Sequence, residues 1–167
     1  FGIEQLPVAN TITAANQVNP GGTVKVTVPT LTGSDGEDGA YTGNGNTVIV
    51  HTIPNNGILY YNNIAVVAGD TIKNYNPALL TVDPNDGAIT VSFNYTEMDA
   101  ALQSSDPATV SMTFTTISIS GNVYDDANAL QDAMVNGVGT NANNTLFAQL
   151  LNNSNAVIAT TAVANDG

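Results

Sequence analysis

The stretch Ile89–Tyr95 (ITVSFNY) decides the fold class, because apolar and polar side chains alternate along it with a period of two. Successive side chains of a β-strand point to opposite faces, so the pattern predicts a strand with one buried and one solvated face. The same alternation recurs at Val110–Phe114, and β-branched runs cover residues 47–53 and 156–163. Turn formers such as Asp83-Pro84-Asn85-Asp86-Gly87 separate the runs. The chain is therefore predicted to be all-β, built of antiparallel sandwiches.

The charge balance removes several classes of function. The 167-residue chain contains fourteen acidic residues but only two lysines and no arginine, which gives it a formal net charge of −12. Nucleic-acid binding is not expected, because its affinity comes largely from Lys and Arg neutralising phosphates. We do not expect an enzyme, since the chain has no cysteine and a single histidine. No apolar run reaches the roughly 20 residues that cross a bilayer, so direct membrane insertion is not expected. A divalent cation is the expected ionic partner.

The strand pattern divides the chain into three parts. Residues 7–116 hold seven or eight predicted strands, enough for a sandwich, and a boundary falls near Thr115-Thr116. Residues 117–167 hold three or four, too few to close a core, because domains this small are marginal without support. Residues 1–6 form an alternating strand with no partner before it. We therefore expect both ends to be cut within a module.

These residues resemble two kinds of module that alternate in giant adhesins and gliding-adhesin-like proteins of Bacteroidetes. Residues 7–116 resemble a cadherin-like or immunoglobulin-like module of long repetitive bacterial surface proteins. Residues 117–167 resemble the opening of a B-type repeat of clumping-factor-related and collagen-adhesin proteins, and the first residues resemble the last strand of such a repeat. The motifs are LTGSDGEDG (Leu31–Gly39), IPNNGILYYNNIAVVAGDTI (Ile53–Ile72), VDPNDGAITVSFNYTEMDA (Val82–Ala100), ISGNVYDDANALQDAMVNGVGTN (Ile119–Asn141) and FGIEQLP (Phe1–Pro7).

The resemblance implies a fold, a location and a function. It implies tandem antiparallel Ig-like β-sandwich modules, the second of them incomplete. It implies an extracellular, cell-surface protein in which this chain is a structural repeat segment of a stalk or filament. Its partners would be neighbouring repeats or copies of the same protein, assembled head-to-tail through the strand Phe1–Gln5. The alternative is an adhesive module that binds a glycan or another surface ligand directly.

A loop in the second part carries the first predicted calcium site, formed by Asp125, Asp126, Asn128 and Asp132. Oxygen ligands at alternate loop positions let a chain wrap a calcium ion. B-type repeats bind calcium through a similar loop, although this copy lacks the family's usual Gly and a distal acid. The alternative is a solvated turn in which Asp and Asn bond their own backbone.

Two further positions carry site predictions. Asp35, Glu37 and Asp38 lie in a Gly-rich loop, and cadherin-like modules use such acids for calcium, with Asp99 as a further candidate from a neighbouring loop. The alternative is a flexible acidic loop. Asp70-Thr71-Ile72 matches the short acid-Thr-apolar acceptor of O-glycosylation in Bacteroidetes, which implies a glycan on Thr71; the alternative is a plain strand end.

Lysines and tyrosines suggest two other features. Some collagen-adhesin-like domains form an internal Lys–Asn isopeptide bond, which needs a buried lysine beside a carboxyl. Lys25 alternates outward and Lys73 lies in a polar turn, so no such bond is expected. Several tyrosines could form a stacking platform for a sugar, although aromatic residues at hairpin tips more often cap a sandwich. They are Tyr41, Tyr60, Tyr61 and Tyr75.

Overall fold

The computed structural model describes residues 4–125 and 137–167 of the chain. Two compact units make up the chain, a first unit (Phe1–Ile117) and a second unit (Ser118–Gly167). Within the described ranges, no helix is long and apolar enough to cross a membrane.

The described residues are organised as short and long β-strands, with one 3-10 turn at Pro77–Leu79. The prediction of an all-β fold is confirmed. The strands are β1 (Val8–Ala9), β2 (Ile12–Thr13), β3 (Gln17–Val18), β4 (Val26–Thr27), β5 (Gly33–Asp35), β6 (Gly39–Tyr41), β7 (Thr47–Val50), β8 (Gly57–Tyr61), β9 (Ile64–Ala65), β10 (Thr71–Ile72), β11 (Leu80–Pro84), β12 (Ile89–Met98), β13 (Ala108–Thr115), β14 (Phe147–Leu151) and β15 (Val157–Ala162).

Three sheets form the first unit. The largest has six strands in the order β10-β7-β12-β13-β2, with β3 also paired to β13. A four-stranded sheet has the order β4-β11-β8-β9, and a small sheet has the order β1-β5-β6. Most pairings are antiparallel, as predicted, but β2 and β3 run parallel to β13. β1 pairs with β5 in the small sheet, and the following strands β2 and β3 pair with β13 in the six-stranded sheet. No local sequence pattern reveals this change of sheet.

The core lies between the six-stranded and the four-stranded sheets. Val91, Phe93 and Tyr95 of β12 are at most 1% exposed, which confirms that the alternating apolar residues point inward. Side chains from β8 and β11, among them Leu59 and Val82, join them in one buried cluster. Two facing sheets around a shared apolar core define a β-sandwich.

The hydroxyl of Tyr95 ties the entry segment to the sandwich. It lies 2.7 Å from the carbonyl oxygens of Asn10 and Thr32, and the Thr32 N–H donates to it at 3.2 Å. A buried phenol needs such partners, since burying an unpaired polar group is costly. The segments around Asn10 and Thr32 are therefore fixed to β12 by hydrogen bonds to one tyrosine hydroxyl.

The outward face of the six-stranded sheet is uncharged and rich in hydroxyls, and we call it the hydroxyl face. Its residues follow from the strand register, which sets Thr90 opposite Thr113 and Ser92 opposite Ser111. The hydroxyl oxygens of Thr90 and Thr113 are 3.2 Å apart. The polar side chains of the face are Thr13, Thr47, Thr71, Thr90, Ser92, Asn94, Thr96, Thr109, Ser111, Thr113 and Thr115, and the same register places Val18, Ile49 and Met98 on it.

The second unit contains the hairpin of β14 and β15, whose pairing has a register shift at Leu150/Leu151. Every residue of the two strands is exposed. Among the described residues of the second unit, Asn141 is the one that is buried: it is 7% exposed, and its side-chain amide donates to the side chains of Asn144 and Asn165. The hairpin therefore has little apolar cover among the described residues.

Candidate metal centre

Two segments bring carboxylates together at one end of the sandwich. Asp35 ends β5 and begins the turn to β6, while Glu97 lies near the end of β12 and Asp99 just after it. The two strands approach closely at Gly33, where an added Cβ would be 2.9 Å from the Cγ of Glu97. The same Cβ would lie only 2.3 Å from the Val8 carbonyl oxygen of β1, so a side chain at this position is excluded first by the backbone of β1 and then by Glu97.

Asp35 is held in place by the turn that it begins. One carboxylate oxygen accepts hydrogen bonds from the N–H groups of Glu37 and Asp38, both at 2.8 Å. These backbone donors, Asp38 first, lower the pKa of Asp35, although burial acts in the opposite direction. The side chain is 7% exposed, and its Oδ2 has no hydrogen-bond partner. The Oδ1 atom of Asp35 thus stabilises the turn, whereas Oδ2 remains without a hydrogen-bond partner.

Asp99 repeats this arrangement on the facing loop. Its Oδ1 accepts from the N–H of Gln103 at 2.7 Å, and its own N–H donates to the Gln103 carbonyl. The side chain is 5% exposed, and Oδ2 has no partner. Asp38 joins the two loops, because its Oδ2 accepts from the N–H of Ala100 at 2.9 Å.

Glu97 is the functional candidate that sequence reasoning missed. It is fully buried, and neither carboxylate oxygen has a hydrogen-bond partner. Burial raises its pKa from 4.5 to about 7. The signal was available in the alternation, because the inward positions of β12 continue from Tyr95 to Glu97, which puts a carboxyl in an apolar series. An unpaired carboxyl at such a position calls for a ligand or a proton.

The pKa values of the neighbouring Tyr41 and Glu4 are both raised in part by the negative charges of these acids. Burial raises the pKa of Tyr41 to about 12, and the charges of Asp35, Asp38, Asp99 and Glu97 add to it. The pKa of Glu4 is raised by partial desolvation and by four acids of the two loops. We call Asp35, Asp38, Glu97 and Asp99 the acidic cluster; Glu4 and Glu37 lie at its rim.

The chemistry of the acidic cluster suits a hard cation. Calcium takes six to eight oxygen ligands from carboxylates, carbonyls and water. Among the residues that the structure describes, no three His, Cys, Asp or Glu side chains are placed so that they could hold a metal ion together. A cation at the acidic cluster therefore requires the unpartnered oxygens to turn towards one another. Ionised carboxylates repel one another at short distance, so such an arrangement would need a cation to neutralise them.

The other predicted calcium site falls largely outside the described residues. Asp126, Asn128 and Asp132 belong to residues 126–136, which the structure does not describe. Asp125 is exposed, and its N–H donates to the Val138 carbonyl at 2.9 Å. Calcium binding by this loop stays a prediction.

Two positions considered for covalent chemistry are exposed, Thr71 for a glycan and Lys25 for an isopeptide bond that we do not expect. Thr71 is exposed on edge strand β10, opposite Ile49. Lys25 is also exposed; its amine lies 3.8 Å from the ring centroid of Tyr60 and donates to Asn63 at 3.1 Å. This lysine has an asparagine neighbour but not the buried setting that isopeptide chemistry needs.

The tyrosines do not form one platform. Tyr75 is completely buried, with its ring centroid 6.2 Å from that of Tyr61. Tyr41 is half-buried beside the acidic cluster, while the ring of Tyr60 is covered by Lys25. A sugar therefore meets no continuous aromatic surface formed by these four residues.

Comparison with protein-family models, with curated proteins and with solved structures finds no match to this chain.

Proposed function

We propose that this chain is a structural segment of an extracellular bacterial surface protein, repeated head-to-tail in a stalk or filament, and that calcium at the acidic cluster stabilises its first unit. The observation that carries the proposal is the set of unpartnered, buried carboxylate oxygens on Asp35, Glu97 and Asp99. Buried carboxylates without partners are strongly unfavourable, so a sandwich that keeps three of them at one end is explained if a cation binds there.

The hydroxyl face supports a spacer rather than a ligand-binding module. A binding surface normally carries an apolar patch, exposed aromatic residues or a concave pocket. Most of this face consists of short hydroxyls in register, with the apolar side chains Val18, Ile49 and Met98 dispersed along it and no charged group, although the chain as a whole carries −12. Such a surface remains hydrated and interacts weakly with other molecules, which suits a repeated segment.

The calcium proposal is tested by thermal unfolding in chelator and in millimolar calcium. We expect calcium to raise the melting temperature, and saturation at 100 times the dissociation constant adds about 2.7 kcal/mol. Asp35→Asn with Asp99→Asn should remove the stabilisation of the first unit. Asp126→Asn with Asp132→Asn should remove whatever the loop of the second unit contributes.

A matched control separates ligand loss from charge loss. Asp83→Asn with Asp106→Asn removes the same number of charges from positions outside the acidic cluster and should keep the calcium response. An unchanged melting curve in calcium, or a response that survives all three pairs of substitutions, contradicts the proposal. A glycan array tests the adhesive alternative, and reproducible binding at micromolar concentration would replace the spacer interpretation.

A further inference from the structure

Asparagine followed by glycine is the pair most prone to deamidation, and this chain contains three such pairs. Two of them, Asn44-Gly45 and Asn56-Gly57, lie among the residues that the structure describes. The backbone nitrogen of the glycine attacks the side-chain amide of the asparagine, and glycine has no side chain to hinder the approach. Both asparagines are exposed, so exposure alone does not distinguish them. The hydrogen bonds around the attacking nitrogen distinguish them.

At Asn44-Gly45 the fold holds the attacking nitrogen. The Gly45 N–H donates to the Tyr75 carbonyl at 2.7 Å, and the Tyr75 N–H donates to the Asn46 carbonyl at 2.8 Å. Tyr75 is completely buried. Freeing the Gly45 nitrogen would leave a buried carbonyl without a partner, which is unfavourable. The fold therefore protects Asn44 from this attack.

At Asn56-Gly57 the attacking nitrogen lies outside the strand ladder. The Asn85 N–H donates to the Asn56 carbonyl at 3.0 Å, which makes these two residues a hydrogen-bonded pair. Bonded and non-bonded pairs alternate along an antiparallel ladder, so Gly57 is at a non-bonded position opposite Pro84. Its N–H therefore points away from β11. On the other side, β9 pairs with the far end of β8 and does not reach Gly57.

The bond from Asn85 also favours the attack. The Gly57 N–H must lose its proton, and the resulting negative charge is shared with the Asn56 carbonyl oxygen of the same peptide group. The Asn85 nitrogen donates to that oxygen, and a hydrogen bond to a charged acceptor is stronger than one to a neutral acceptor. The structure thus stabilises the reactive form of the Asn56–Gly57 peptide group.

The Asn56 side chain connects the two large sheets of the first unit. Its Nδ2 donates to the Thr90 carbonyl at 3.0 Å, so the residue before β8 is bonded to β12. The bond is exposed, and water can replace it while the side chain turns towards Gly57. A carboxylate at this position has no N–H to donate and would place a negative charge against the Thr90 carbonyl. Loss of the amide therefore removes a bond between the sheets.

We propose that Asn56 is a site of spontaneous deamidation and that the reaction breaks the link between the two sheets at Thr90. The Gly57 nitrogen gives its proton to hydroxide and forms a bond to the Asn56 Cγ. The bond from Cγ to the side-chain nitrogen then breaks, and this nitrogen takes up a proton and leaves as ammonia. Water opens the resulting succinimide at either carbonyl, which gives aspartate or isoaspartate. The chain gains one negative charge, and the reaction does not depend on the acidic cluster.

The first experiment compares the two pairs within one peptide. The folded protein and the protein unfolded in guanidinium chloride are incubated at mildly alkaline pH, then denatured and digested with trypsin. Residues 26–73 form one tryptic peptide, because Lys25 and Lys73 are the only cleavage sites, and this peptide contains Asn44 and Asn56. Tandem mass spectrometry assigns the gain of one dalton to one asparagine or the other.

We expect similar rates at the two positions in the unfolded protein, because both are Asn-Gly pairs. In the folded protein, Asn56 should react roughly tenfold or more faster than Asn44. Asn56→Gln should abolish the conversion at its own position and leave Asn44 unchanged, because the longer side chain closes a ring only slowly. Equal rates in the folded protein overturn the proposal. So does an Asn56 that stays intact in the folded protein while the unfolded protein reacts.

A second measurement tests the effect on stability. The modified protein carries one more negative charge and separates from the unmodified protein by anion exchange. We expect it to melt at a lower temperature and Asn56→Asp to reproduce the decrease. Asn55→Asp adds the same charge at the exposed neighbour and serves as the matched control, with a smaller decrease. If Asn56→Asp lowers the melting temperature no more than Asn55→Asp does, the proposed link through Thr90 is wrong.

Discussion

Glu97 combines a completely buried side chain with no partner for either oxygen, and this gives it a measurable effect on stability. Its pKa is raised by burial from 4.5 to about 7, so the folded protein holds the proton more tightly than the unfolded chain. The contribution of Glu97 to the free energy of unfolding is therefore fully present below about pH 4.5, where the group is protonated in both states. It is lost as the pH rises through about 7.

In chelator, we expect the free energy of unfolding to drop by up to about 3 kcal/mol between these pH values because of Glu97. Denaturant unfolding at a series of pH values measures this, and Glu97→Gln should flatten the slope. Glu37→Gln, in the exposed turn, should not. Asp35 has the opposite effect on stability and acts at lower pH. Because its pKa is lowered in the folded protein, the stability that it contributes is lost as the pH falls. An equal slope in the wild type and in Glu97→Gln would contradict the assignment.

The edge strand β10 is the element on which a covalent modification is expected. Thr71 is exposed there, directly after Asp70, whose carboxylate accepts from the Val67 N–H at 2.9 Å and shapes the turn before the strand. A glycan at this position extends into solvent and costs the sheet no hydrogen bond. If the protein is isolated from its native host, we expect its intact mass to exceed that of the bare sequence. Thr71→Val should restore the bare mass, and a native protein with the unmodified mass rejects the prediction.

The long central strands could be predicted from the sequence, and the acidic cluster only in part. The alternation at Ile89–Tyr95 is local, so it predicts which side of β12 is buried. The acids at Asp35 and Asp99 were recognised as candidates in their separate loops. Their placement at the same end of the sandwich as Glu97 depends on how β1 and β5 pack beside β12, which is set by long-range pairing and by the missing side chain at Gly33. The parallel pairing of β2 and β3 with β13 is equally non-local.

At the scale of the whole molecule, the two units differ in how much apolar surface they bury. The first unit has one continuous core, whereas Phe147, Val157 and Ile158 of the second unit are 50–60% exposed. Burial of apolar area is the main favourable contribution to folding, so we expect the second unit to unfold at the lower temperature.

Calorimetry should therefore show two transitions. Deleting residues 118–167 should remove the lower one and leave the upper one unchanged. The calcium shift that depends on Asp35 and Asp99 should belong to the upper transition, and a shift that depends on Asp126 and Asp132 to the lower. A single transition that moves as a whole with every variant would show that the two units unfold together.

The packing of Lys25 against Tyr60 has a consequence for how the protein resists proteolysis. Trypsin-type proteases cut after lysine or arginine, and this chain offers them only Lys25 and Lys73. At the first, the amine that the protease must grip is engaged by an aromatic ring and an asparagine, and the bond to be cut leads directly into β4. We therefore expect digestion by such enzymes to begin at Lys73, on the exposed turn after β10, because the shortage of basic residues leaves a trypsin-type protease almost no other place to cut.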